Sequence, residues 1–166
     1  MNAIDMTGTA YYHSQDDVRT LAELARMLPA DPVVVNIGVA YGTSILAMLE
    51  ARDDLYVFGI DVDKDAPALA NLAGIGRWCF ILGRSQDAGH HWPIQVDMVF
   101  VDGSHARALV EADIDAWLPY IKPGGIIAFD DYDKPICPGV KPAVDECMAG
   151  YERILLVDDI IAFRVK

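Results

Sequence analysis

Short apolar runs that each stop at a polar residue, separated by stretches of helical period, constrain this chain more than any other feature. Val33 to Ile37 is a β-branched run without alternation, the pattern of a strand covered on both faces, and Gly38 ends it. Ser44 to Glu50 returns to helical spacing through Ile45, Met48 and Leu49, and Leu55 to Ile60 is a second apolar run closed by Asp61. A helical stretch near Ala66 to Leu72 follows, then a strand from Arg77 to Leu82 and another from Val96 to Val101, ending at Asp102. In the next helix Val110, Ile114, Trp117 and Ile121 form one apolar stripe, with Glu111, Asp113 and Asp115 mostly facing elsewhere. Lys122-Pro123-Gly124-Gly125 reads as a turn, and Ile126 to Phe129 as a buried strand running into Asp130-Asp131.

Strands joined by helical crossovers imply a parallel sheet. Tyr151 to Val157 and Ile160 to Val165 are strand-like runs separated only by Asp158-Asp159, which suits an antiparallel hairpin at one sheet edge. Ahead of the first strand, Asp16 to Leu28 has helical spacing, with Ser14 or Asp16 as cap and Pro29 and Pro32 as stops. The expectation is one α/β domain over residues 1–166, a Rossmann-like doubly wound sheet, mainly parallel, with a C-terminal antiparallel hairpin. Residues 1–30 would form a short helical lid.

With 53% hydrophobic residues the chain can bury a core of its own, which excludes a disordered segment. Its 25 acidic against 13 basic residues give a net charge of -12, which repels a phosphate backbone or an anionic membrane surface. No apolar run approaches the ~20 residues needed to span a bilayer, and the polar start lacks a signal-peptide pattern, so a cytoplasmic location is expected. Cys79, Cys137 and Cys147 have no Cys-x-x-Cys spacing and read as reduced thiols. The high apolar fraction on a small chain favours a homodimer.

In open α/β sheets ligands bind beyond the carboxyl ends of the strands. Those positions hold Asn36 to Thr43, Asp61, Ser85-Gln86, Asp102 and Asp130-Asp131. Each residue type also caps helices and forms turns, but five such positions in register point to a site. The loop Gly38-Val39-Ala40-Tyr41-Gly42-Thr43-Ser44 lets backbone approach a ligand at a helix N-terminus. It is not Gly-x-Gly-x-x-Gly, and the lysine of a P-loop is absent. Asp61 follows Gly38 by roughly twenty residues, where a second-strand carboxylate can accept both hydroxyls of a ribose.

From Val33 to Val165 the chain resembles the class I S-adenosylmethionine-dependent methyltransferases, whose seven-stranded fold resembles a Rossmann sheet with an added antiparallel strand. The run Val96-Asp97-Met98-Val99-Phe100-Val101-Asp102-Gly103-Ser104-His105, with Asp113, Trp117, Lys122-Pro123-Gly124-Gly125 and Asp130-Asp131-Tyr132, is similar to small bacterial O-methyltransferases related to sugar and macrolide enzymes. Gly139-Val140-Lys141-Pro142-Ala143-Val144-Asp145-Glu146 is similar to theirs as well, with catechol and caffeoyl-CoA enzymes as more distant relatives.

The resemblance implies an S-adenosylmethionine site at Asn36, Gly38, Ala40, Tyr41, Gly42, Thr43, Ser44, Asp61, Val62, Ser85, Gln86 and Asp102, with Asp61 on the ribose and Ser85-Gln86 flanking the adenine. It implies a divalent cation (Mg, Ca or Mn, from the oxygen donors) at Asp102, Asp130 and Asp131. His105, three residues past Asp102, would be the general base on a small hydroxylated substrate. Asn36 departs from the family pattern, because an acidic residue usually ends the first strand there. His90 and His91 read as loop, and His13, with Tyr11 and Tyr12, as packing or part of a lid. The other readings open at this point are a metal-independent methyltransferase, a non-catalytic nucleoside-binding module and a nicotinamide-dependent reductase, the last opposed by its missing glycine pattern.

Overall fold

The computed structural model describes residues 13–166, so Tyr11, Tyr12 and the first part of the expected lid lie outside the described residues. In chain order the elements are α1 (Gln15–Arg26), β1 (Val33–Ile37), α2 (Thr43–Ala51), β2 (Tyr56–Asp61), α3 (Ala68–Asn71), β3 (Trp78–Leu82) and α4 (Ser85–Gly89). They continue with β4 (Val96–Val101), α5 (Arg107–Trp117), a 3-10 turn (Leu118–Tyr120), β5 (Ile121–Phe129), α6 (Val140–Cys147), β6 (Glu152–Val157) and β7 (Ile160–Arg164). The seven strands form one sheet in the order β3-β2-β1-β4-β5-β7-β6. Strands β1 to β5 run parallel, while β7 pairs antiparallel with both β5 and β6.

Both faces of the sheet are covered. Leu21, Leu24, Ile45, Met48 and Leu49, from α1 and α2, cover one face at Val34, Val57, Met98 and Phe100. On the other, Val110, Ile114 and Trp117 of α5 and Ala143 and Val144 of α6 lie against Val35, Val99, Val101 and Ile127. This two-sided burial is why β1 and β4 read as unbroken apolar runs. The helix expected near the N-terminus is anchored by a capping box. Ser14 Oγ accepts from the Asp17 N–H (3.1 Å), and Asp17 Oδ2 accepts from the Ser14 N–H (2.6 Å).

Three expectations need correction. Lys122 to Gly125 is the first part of β5 rather than a turn, and Ile121 opens that strand instead of closing the helical stripe. The pairing of β4 with β5 shifts register between Val96 and Met98, so this part of the strand is bent. Gly124 has a left-handed φ of 82°, and a Cβ on Gly125 would lie 2.7 Å from the Ile121 side chain and 2.8 Å from the Asp97 carbonyl oxygen. Glycine permits that bend, and the same glycines imitate a turn signal. In addition, α4 and α6 occupy segments to which no helix was assigned; α4 is too short to show a period, whereas Val140, Ala143, Val144 and Cys147 of α6 do follow helical spacing and were passed over.

At the amino-terminal edge of the sheet, Asp97 is buried and joins three elements. Its Oδ2 accepts from the Val33 N–H (2.9 Å), and both its oxygens lie 2.9 Å from Lys122 Nζ. Asp97→Ala leaves the half-buried Val33 N–H unpaired and removes the Lys122 partner, and the expected loss is about 2 kcal/mol, or roughly 4–8 °C in Tm, measured by thermal denaturation.

Candidate active site

The carboxyl ends of the parallel strands open on a cavity of about 700 Å³, at the point between β1 and β4 where strand order reverses. Its floor is made by close backbone contact. Gly38 has φ 81°, and a Cβ placed on it would fall 1.9 Å from the carbonyl oxygen of Asp102, so no other residue fits. Asp61 points into the loop after β1, where Oδ2 accepts from the N–H groups of Val39 (2.7 Å) and Ala40 (3.1 Å) while Oδ1 accepts from that of Asp63 (2.9 Å). Those bonds hold Ala40 in its left-handed φ of 42°.

The predicted binding residues divide into two groups. Gly38, Ala40, Asp61, Val62, Ser85, Gln86 and Asp102 line the cavity. Tyr41, Gly42, Thr43 and Ser44 are not among its lining residues; Gly42 closes against Leu72, and Ser44 is buried. Asn36, 0% exposed, lies beneath the loop and donates Nδ2–H to the Gly38 carbonyl oxygen (2.7 Å), with Oδ1 unpartnered. Its amide shapes the loop from below.

At one end of the cavity Ser85 Oγ and Gln86 Nε2 (2.7 Å) both donate to Asp113 Oδ1. Asp113 was expected on the outward side of its helix, yet it is 1% exposed and lines the cavity. Burial raises its pKa to about 6, a rise that the bonds from Ser85 and Gln86 only partly oppose. The signal was present in the spacing, because positions 110, 113, 114 and 117 share one helical face.

The other end is acidic. Asp102 and Asp130, from the ends of β4 and β5, both face His13, whose Nε2 is 3.3 Å from Asp102 Oδ2 and whose Nδ1 is 3.6 Å from Asp130 Oδ2. One ligand atom from each of the three lies within 4.8 Å of the others. Burial, followed by the charge of Asp102, pushes Asp130 up to about 7, and burial also raises Asp102. Burial lowers the His13 pKa, but the hydrogen bond and charge of Asp102 outweigh it and the net shift is upward. Asp130 Oδ1 is buried without a hydrogen-bond partner. Two carboxylates facing each other, one with an orphaned oxygen, form a donor set that fits a divalent cation. Sequence reasoning gave His13 no such place, for it belongs to no motif.

Asp131 follows Asp130 but adopts a left-handed φ of 58°. Its Oδ1 meets Lys134 Nζ (2.6 Å), and its Oδ2 meets His105 Nε2 (2.7 Å) and accepts from the Cys137 thiol (3.4 Å). Burial raises the Asp131 pKa, but Lys134 more than compensates, and the carboxylate is held below its ordinary value. Burial and the Asp131 charge push the Cys137 thiol to about 11. His105 stands at the cavity rim with its side chain 45% exposed.

Comparison with known proteins gives the same architecture. The fold is shared with a Staphylococcus aureus protein described as a candidate caffeoyl-CoA O-methyltransferase (TM-score 0.78, 19% identity, 96% of this chain and 87% of that one). It is shared with the O-methyltransferase TomG of Streptomyces achromogenes, solved in complex with SAM (TM-score 0.73, 22% identity, 92% and 80%). An rRNA methylase from Streptococcus thermophilus also has it (TM-score 0.69, 17% identity, 92% and 97%). An uncharacterized protein of Acanthamoeba polyphaga mimivirus is 40% identical over 61 residues, 36% of this chain, and the chain spans 28% of the length of that relative. A family profile described as a methyltransferase domain matches residues 35–132, more than half of the sequence, and the chain belongs to that methyltransferase family.

Proposed function

We propose that this protein transfers the methyl group of S-adenosylmethionine to a hydroxyl of a small molecule, with a divalent cation at Asp102 and Asp130. The observation that carries the reading is the convergence, in one cavity, of the Gly38 loop with Asp61, the Ser85-Gln86 turn, and the facing carboxylates of Asp102 and Asp130. S-adenosylmethionine supplies an electrophilic sulfonium methyl, and a bound cation lowers the pKa of a coordinated hydroxyl.

The chain's own groups bind, orient and remove a proton. Gly38 and Ala40 bring backbone against the ligand, and Asp61 keeps lone pairs for a ribose hydroxyl beyond those used by the loop. With Nε2–H directed at Asp131, His105 leaves Nδ1 as the atom that takes the hydroxyl proton. Lys134 keeps Asp131 ionised, so the histidine has a fixed anionic partner. Leu109, 44% exposed, offers apolar surface in the same cavity. The net charge of -12 supports a small acceptor over a nucleic acid, although an rRNA methylase shares the fold.

One observation favours a metal-independent form of the same reaction. A protonated His13 between Asp102 and Asp130 neutralises them without an added ion. EDTA separates the two. In methyl transfer to a panel of hydroxylated compounds, followed by mass spectrometry, chelation is expected to lower the rate at least tenfold, with recovery on adding Mg or Mn; an unchanged rate selects the His13 form. Asp130→Ala is expected to abolish transfer while the Kd for S-adenosylhomocysteine stays within about threefold of wild type, and Asp61→Ala to raise that Kd by about tenfold or more, both by calorimetry.

A further inference from the structure

Asp113 is a buried carboxylate served only by neutral groups. Among the described residues no ion pair reaches it, and its partners are the Ser85 hydroxyl and the Gln86 amide. For packing alone, a neutral residue in that place is less costly than a buried charge. Helix α5 nevertheless grips the turn twice on one face, for Trp117, one turn beyond Asp113, donates Nε1–H to the Ser85 carbonyl oxygen (3.1 Å). Glycine at 89 lets this segment lie close against α5, because a Cβ there would be only 2.9 Å from the Ala116 side chain and 3.0 Å from its carbonyl oxygen.

With Asp113 ionised, the proton inventory of this group has one solution. An ionised carboxylate accepts and never donates. The Ser85 hydroxyl hydrogen is therefore committed to Asp113, and the remaining capacity of Oγ is its lone pairs. Gln86 must turn its NH2 toward Asp113, which directs Oε1 the other way, and no other hydrogen bond reaches that side chain among the described residues. Ser85, Gln86 and Asp113 all line the cavity.

We propose that Asp113 is a positioning residue that fixes the hydrogen-bond polarity of the nucleobase end of the cavity. It makes Gln86 Oε1 and Ser85 Oγ acceptors, which selects a base carrying an exocyclic amine over one carrying an oxo group in that place. This rests on the reading of the cavity as an S-adenosylmethionine site and adds which group of the chain reads the 6-position of the purine. An oxo group there would face acceptors and stay unpaired, the arrangement that gives strong rejection. With asparagine at 113, either an oxygen or an NH2 can be offered, Gln86 is free to turn over, and the preference disappears.

The test compares the calorimetric Kd of S-adenosylhomocysteine with that of S-inosylhomocysteine, its 6-oxo analogue. Wild type is expected to prefer the adenosyl compound by about tenfold or more, and Asp113→Asn to narrow the ratio to within about threefold while keeping a Tm close to wild type. Gln86→Met, at a position outside the core, should narrow it likewise. A ratio that either folded variant leaves at the wild-type value overturns the proposal, since a merely structural acid would weaken both ligands together. Wild type that binds both compounds equally also overturns it while leaving the cofactor assignment standing. Wild type that binds neither overturns the cofactor assignment and the proposal together.

Discussion

The contact on which the rest depends is the approach of Gly38 to the backbone of Asp102. Because a Cβ at residue 38 would overlap the Asp102 carbonyl oxygen, the loop after β1 lies directly over the end of β4. The Asp102 N–H then bonds to the Ile37 carbonyl oxygen (2.9 Å) and the Gly38 N–H to that of Ile60 (2.9 Å), so three strand ends are tied together at the switch point. With those ends fixed, Asp61 reaches the loop N–H groups and Asp102 faces Asp130. The cavity follows from sheet order and one missing side chain.

Much of the architecture was legible because burial on both faces leaves a plain mark. β1 and β4 have the bounds that their apolar runs suggest, and the Asp158-Asp159 pair between β6 and β7 does form a hairpin. Where the expectation differed, local and tertiary preferences conflicted. Lys122 to Gly125 carries turn chemistry, yet Gly124 pairs with Val165 through its N–H (2.8 Å), and the segment becomes a bent strand. Asp113 was placed outside by its charge although its spacing placed it inside. His13 is set by a fold-level contact with Asp102 and Asp130, for which its neighbours in sequence carry no sign.

The site joins two kinds of electrostatics. At the Ser85-Gln86 end a single acid is stabilised by neutral donors, which sets direction without adding a countercharge. At the other end carboxylates are crowded beyond what hydrogen bonds satisfy, and basic neighbours, His13 on one side and Lys134 on the other, divide them. The left-handed backbone at Asp131 makes that division, sending two consecutive acids to different partners. Shared architecture with both O-methyltransferases and an rRNA methylase shows that the fold alone does not choose an acceptor.

The strap of Asp97, Val33 and Lys122 lies at the edge of the sheet opposite the cavity. Its position separates two burdens that many small proteins must carry in the same residues. Exchanges at the rim around His105 and Leu109 leave these three residues and their bonds in place. Residue 97 has no such latitude, because changing it strips the Val33 N–H and the Lys122 ammonium of the partner they share.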